Sequence, residues 1–127
     1  MAYSDSLALR VRAVLTDERG ITERKMFGGL AILLRGNMFV IIWQESLIVR
    51  VGADGYQEAL QLPFAAEFDV TGRPMTGWVV VSADGVDSDR DLRAWIERGL
   101  TFVRALPAKK VSAKKMPAEK LPTKKSK

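Results

Sequence analysis

Large apolar residues crowd residues 30–51 in three runs, while on either side they recur every three or four positions. The first two runs flank Gly36-Asn37, and a two-residue Gly-X connection between strand-like runs predicts a hairpin. Pairing across it sets Leu34 opposite Phe39, Leu33 opposite Val40 and Ile32 opposite Ile41. One face then carries Leu30, Ile32, Leu34, Phe39, Ile41 and Trp43, none of them charged. The other carries Ala31, Leu33, Arg35, Met38, Val40 and Ile42. A third run adds Leu47, Val49 and Val51 to one side and Ile48 and Arg50 to the other. Helices are expected over the uncharged face, leaving Leu33, Met38, Val40 and Ile42 open, with Ile48 beside them. An open patch of a few hundred Å² is of the size that marks an interface, so a homodimer through this face is expected. Two alternatives stand: the last helix wraps the second face, or the register is off by one and the faces exchange.

Helical periods bracket the strands. Leu7, Val11, Val14 and Leu15 form a stripe within Ser4 to Leu15, with Arg10 and Arg12 facing away and Ser4 or Asp5 as N-cap. Gly20 suits the position past the helix end, and Ile21 to Lys25 leads into the hairpin. Gly52-Ala-Asp-Gly breaks the third strand, and Tyr56 to Leu62 reads as a short helix closed by Pro63. Phe64 to Val70 alternates as a strand edge, Thr71 to Gly77 is a loop, and Trp78 to Ser82 is a strand. Leu92, Trp95, Ile96, Gly99, Val103 and Leu106 keep helical spacing up to Pro107. Asp87 or Ser88 caps that helix, and Asp89 and Asp91 complement its dipole. The order is α-β-β-β-α-β-β-α, an α+β fold of two layers with an antiparallel sheet packed against helices.

Charge divides the chain at the same proline. Residues 1–106 hold 12 Lys and Arg against 14 Asp and Glu, a net of −2. Residues 107–127 hold eight lysines and one acid, a net of +7. That segment has too few apolar residues to offset ordering entropy, so it is expected to be a disordered tail after a single domain of residues 1–106. Its lysines, Lys109, Lys110, Lys114, Lys115, Lys120, Lys124, Lys125 and Lys127, can displace counterions from phosphates and so bind nucleic acid without sequence preference. A solubilising tail with no fixed partner is the competing reading.

Composition narrows the chemistry. The chain has no His and no Cys, which removes the commonest general base, thiol nucleophiles and the usual soft metal ligands. No cofactor is implied, and an enzyme is not expected. No stretch reaches the ~20 apolar residues that cross a bilayer, and the N-terminus lacks a signal-peptide layout, so no membrane partner and a cytoplasmic location are expected.

Three stretches carry candidate sites. Met26-Phe-Gly-Gly29 can cradle a phosphate or mark a close backbone approach; no Lys-Ser/Thr follows at the spacing of a phosphate loop, which favours the second. Arg73, in a loop, can bind an anion or pair with Asp69, and with Arg24 and Lys25 it forms a candidate anion or partner patch that Arg35 and Arg50 can join. Asp84, Asp87, Asp89 and Asp91 have some calcium-loop spacing but lack its sixth-position glycine and twelfth-position glutamate, so helix capping accounts for them better.

The stretch Arg24-Lys-Met-Phe-Gly-Gly-Leu30 resembles the TfoX/Sxy N-terminal domain. Gly36-Asn-Met38, Val49-Arg-Val-Gly52, Thr71-Gly-Arg-Pro-Met75 with Gly77-Trp78, and Asp91-Leu92 with Trp95 extend the resemblance over residues 1 to 107. It implies a secretion-chaperone-like fold and, from founding members with a second C-terminal domain, a regulatory role in competence for DNA uptake. In this chain the lysine-rich tail is expected to stand where those members carry the second domain. The resemblance brings no catalytic residues. The expected function is a regulatory or interaction protein, a transcription or competence accessory whose tail holds nucleic acid. The alternative is a homodimeric protein-binding module with no nucleic-acid role.

Overall fold

The computed structural model describes residues 3–26, 28–69, 72 and 74–107. Three α-helices pack on one side of a six-stranded sheet, giving the expected α+β class. The elements are α1 (Asp5–Val14), β1 (Ile21–Met26), β2 (Gly29–Leu34), β3 (Asn37–Trp43), β4 (Ser46–Arg50), α2 (Gly52–Leu60), β5 (Ala65–Asp69), β6 (Pro74–Val81) and α3 (Asp89–Arg104). A 3-10 turn at Ala83–Val86 joins β6 to α3. All neighbouring strands are antiparallel, in the order β1-β2-β3-β4-β6-β5, so α2 carries the chain across β6 to the far edge.

The helix caps follow from short polar side chains. Ser4 Oγ accepts the Leu7 amide at 3.1 Å, and Ser88 Oγ accepts the Asp91 amide at 3.0 Å. Arg10 does not face away as its helical position suggested. Its guanidinium donates to the Val86 and Asp87 carbonyls at 2.8 and 3.0 Å, pinning α1 to the start of α3. The second helix begins at Gly52, four residues before Tyr56. Gly52 has φ +83°, and a Cβ there would lie 2.4 Å from the Phe102 ring, so only glycine lets the chain turn from β4 into α2 beneath α3.

Residues 21–26 form an edge strand rather than a connecting lead, although four of the six are exposed. Their polarity hid the strand, because an edge needs only one neighbour and is blunted by charge. Likewise the loop after β5 ends sooner than its Gly and Pro content suggested, and β6 starts at Pro74. Proline is compatible with a strand's first residue.

The hairpin register differs from the expectation, with consequences for the exposed face. Arg35 and Gly36 occupy the turn, both with positive φ (51° and 85°), and Leu34 pairs with Asn37. Positive φ at both central positions gives the turn whose twist matches the flanking strands. Phe39 is then an extra residue: Leu33 pairs with Met38, but Ile32 pairs with Val40. A bulge of this kind reverses the alternation beyond it. Val40 and Ile42, expected on the open face, are therefore fully buried beneath the helices, and Ile41 takes the opposite side. Leu33 and Met38 stay where they were expected.

The main core joins Leu7 and Val11 of α1, Tyr56 of α2, and Leu92, Ile96 and Val103 of α3 to Leu30, Ile32, Phe39, Ile42, Leu47 and Val49 of the sheet. A second cluster of Ala31, Leu33, Ile41 and Ile48 lies on the reverse face, flanked by Met26, Met38, Phe68, Trp78 and Val80. No residue of the described helices belongs to it.

Candidate functional site

The reverse face is built in rows, because β-strand side chains alternate and neighbouring strands are in register. One row runs Arg24, Ala31, Ile41, Ile48, Val80 and Ala66 from β1 to β5. A second begins at Thr22, Leu33 and Met38 and continues through Arg50, Trp78 and Phe68. Both rows contain cations and aromatic or aliphatic groups, and neither contains a carboxylate among the described residues.

Arg50 is the unusual member. It sits at the end of β4 with its guanidinium 5.6 Å from the Trp78 ring centre and 5.1 Å from that of Phe102. Such contacts hold a cation by the negative faces of the rings. Its one hydrogen bond is a long one, 3.4 Å to the Met38 carbonyl. Arg10, Arg12, Arg90, Arg98 and Arg104 each have a carboxylate partner, whereas Arg50 has none among the described residues. Burial lowers its pKa from the ordinary arginine value, yet a guanidinium stays protonated at neutral pH. Among the described residues only one of its five N–H donors meets an acceptor. Beside it, the Phe68 and Trp78 rings lie 6.4 Å apart at 49°, a tilted pair.

Two members of the expected anion patch do not share a face of the sheet. Arg24 and Lys25 are consecutive on β1, so they project to opposite faces: Arg24 pairs with Ala31 of the reverse face and Lys25 with Leu30 of the core side. Arg73 lies outside the described residues, as do the eight tail lysines and the expected disorder of the tail. Asp69, its suggested partner, accepts the Gly72 amide at 2.7 Å. At Gly29 an added Cβ would lie 2.7 Å from the Ile42 carbonyl oxygen, so this glycine serves close backbone approach. Asp91 and Asp89 stand in the first turn of α3, where capping and the dipole account for them.

Elsewhere the chemistry is sparse. Tyr56 Oη is buried with no hydrogen-bond partner among the described residues, and burial, with the charge of Glu67, raises its pKa. A phenol so placed keeps its proton. A groove of about 270 Å³ between the α2–β5 loop and α3 is lined by Leu62, Pro63, Phe64, Trp95 and Arg98. Arg98 already faces Glu58 at 3.8 Å and the Trp95 ring at 5.6 Å.

A family model described as the TfoX N-terminal domain matches residues 4–103. The chain belongs to that family. No curated protein and no solved structure matches it. The matched region of this TfoX-type domain covers α1 through nearly all of α3, and so includes both rows of the reverse face. Sequence reasoning counted Arg50 among five scattered cations. It did not foresee the rings around it, because Phe102 is brought to β4 only by the packing of α3. One signal was present: an arginine in phase with Ile48 at the end of a strand whose interior is apolar.

Proposed function

We propose that this TfoX-type domain belongs to a non-enzymatic regulatory or interaction protein, cytoplasmic, that associates with nucleic acid through its C-terminal lysines. The observation that carries the reading is the charge split, −2 over residues 1–106 and +7 over residues 107–127. The tail's cations are all lysine, whereas those of the domain are arginine except Lys25. A lysine ammonium makes point-charge contacts with phosphates that demand little geometry; the planar guanidinium suits fixed geometry. The reverse face supports the same reading, since its arginines have no carboxylate partner among the described residues. A competence or transcription accessory role is the specific form of this function suggested by the family.

The test is a duplex DNA titration of the full chain beside a chain ending at Pro107, each at several salt concentrations. The full chain is expected to bind without sequence preference. With 4–6 phosphates contacted, log K should fall against log salt with a slope of roughly −4 to −5. The shortened chain should bind duplex barely at all. Equal binding by both, or a flat salt dependence, refutes the role of the tail.

A further inference from the structure

We propose that the reverse face of the sheet is a platform for single-stranded nucleic acid, with Arg50, Trp78 and Phe68 as its stacking and phosphate-pairing row. The inference rests on the nucleic-acid reading above and adds the strand type and the residues of the folded domain that receive it.

Three observations converge on this occupant. The first is charge. Arg24 stands on the face and Arg50 at its end, where the guanidinium also meets Phe102 of α3, and neither has a carboxylate partner among the described residues, so the complementary partner is an anion. A second copy of the same face would bring a second set of the same residues and so no carboxylate to offset these arginines. The tail is also cationic, so its own lysines are poor occupants of this face. The second observation is the surface type. Trp78 and Phe68 are half-buried on adjacent strands, Trp43 falls on the same side by alternation, and Trp43 is 43 % exposed. Flat rings set on a sheet, interspersed with guanidinium groups, are what unpaired bases stack upon. A duplex keeps its bases stacked inside and offers these rings nothing.

The third observation is rigidity. Arg50 is held against two rings and by the Met38 carbonyl, so its guanidinium is fixed in direction before any ligand arrives. A preorganised fork loses less freedom on pairing with a phosphate than a lysine on a loop does. Arg50 and Trp78 are cross-strand partners with the guanidinium over the indole, so a base lodged beside the tilted Phe68–Trp78 pair and a phosphate on the guanidinium are reachable by neighbouring nucleotides.

The experiment uses the full chain and a fifteen-residue oligothymidylate at about 0.3 M salt, where the lysine contribution is weakened. Arg50→Gln and Phe68→Leu are each expected to lower its affinity by roughly tenfold, the order of one lost stacking or pairing contact. Affinity for heparin, a polyanion without bases, should stay within about twofold in both, as expected when the tail supplies sequence-independent charge contacts. Oligothymidylate should quench the tryptophan fluorescence of the unaltered chain, heparin should not, and Trp78→Phe should remove most of the quench. The quench needs no destabilising change and keeps the test valid if a variant melts early. Unchanged oligothymidylate affinity in both variants overturns the platform, as does an equal loss for heparin. Binding of polyglutamate as tight as oligothymidylate also overturns it, since the face would then read acidic protein. Duplex retention by the tail with no effect of the face variants defeats this inference alone. Loss of duplex retention with a persisting tryptophan quench defeats the tail reading alone.

Discussion

Arg10 ties two parts of the chain that are 76 residues apart, and replacing it and Asp89 in turn separates two kinds of interaction. In Arg10→Ala the Val86 and Asp87 carbonyls lose a charged donor at 2.8 and 3.0 Å, at the junction where the 3-10 turn hands over to α3. Hydrogen bonds to a charged group contribute about 1.5–3 kcal/mol when buried and less where water can substitute. The Val86 contact is partly buried and the Asp87 contact is exposed, so the loss should be about 1–2 kcal/mol. The same guanidinium also meets Asp89 at 3.2 Å, but that carboxylate is 94 % exposed. Exposed pairs contribute little. Asp89→Asn should therefore cost under ~0.5 kcal/mol. In a thermal melt followed by circular dichroism, Arg10→Ala should lower Tm by about 4–14 °C and Asp89→Asn by no more than about 3 °C. Equal effects from the two variants would mean the ion pair carries the joint and the carbonyl contacts do not.

Val40→Lys places a charge at a fully buried core position and should leave little folded protein, measurable as loss of the cooperative melt. Gly52→Ala forces alanine to φ +83° against the Phe102 ring and should cost about 1–3 kcal/mol in urea unfolding; a Phe102→Ala background should make that cost smaller. Glu23 has its carboxyl held below the usual range by the Arg12 side-chain hydrogen bond. A lowered folded-state pKa stabilises above the unfolded value and is lost as pH falls through the folded one. Glu23→Gln should thus flatten the stability profile slightly on the acid side, by at most about 1 kcal/mol because the pair is exposed, and leave it unchanged in slope above neutral pH.

What was legible in the sequence was whatever repeats along one element. The stripe of α3, its serine cap and the apolar strands 30–34 and 47–49 all follow from local periodicity. The reverse face was half legible: Leu33 and Met38 were placed by alternation, Val40 and Ile42 were misplaced by one extra residue at Phe39. A bulge has no fixed sequence signature, and one residue suffices to exchange faces. β1 was missed because an exposed edge needs few apolar residues. The setting of Arg50 was illegible for a different reason. Its three neighbours, Met38, Trp78 and Phe102, lie 12, 28 and 52 positions away and meet only when sheet and helix pack.

If both cationic parts of the chain hold nucleic acid as proposed, they should respond differently to salt, and that difference bears on how they would work together. Lysine contacts along a tail gain chiefly from released counterions, so they weaken steeply as salt rises. They act at a distance, within about one Debye length, and speed encounter without fixing orientation. A base stacked on Trp78 gains from apolar and dispersion contact, which salt hardly screens. Arg50 lies between these limits, since rings on two sides keep water and ions from part of its surface. At low salt the lysines should therefore dominate affinity and obscure any choice between strand types. As salt rises, the tail contribution falls away first, and preference for unpaired strands over duplex should increase even while total affinity drops. A preference that instead shrinks in parallel with affinity would place all of the binding in the tail.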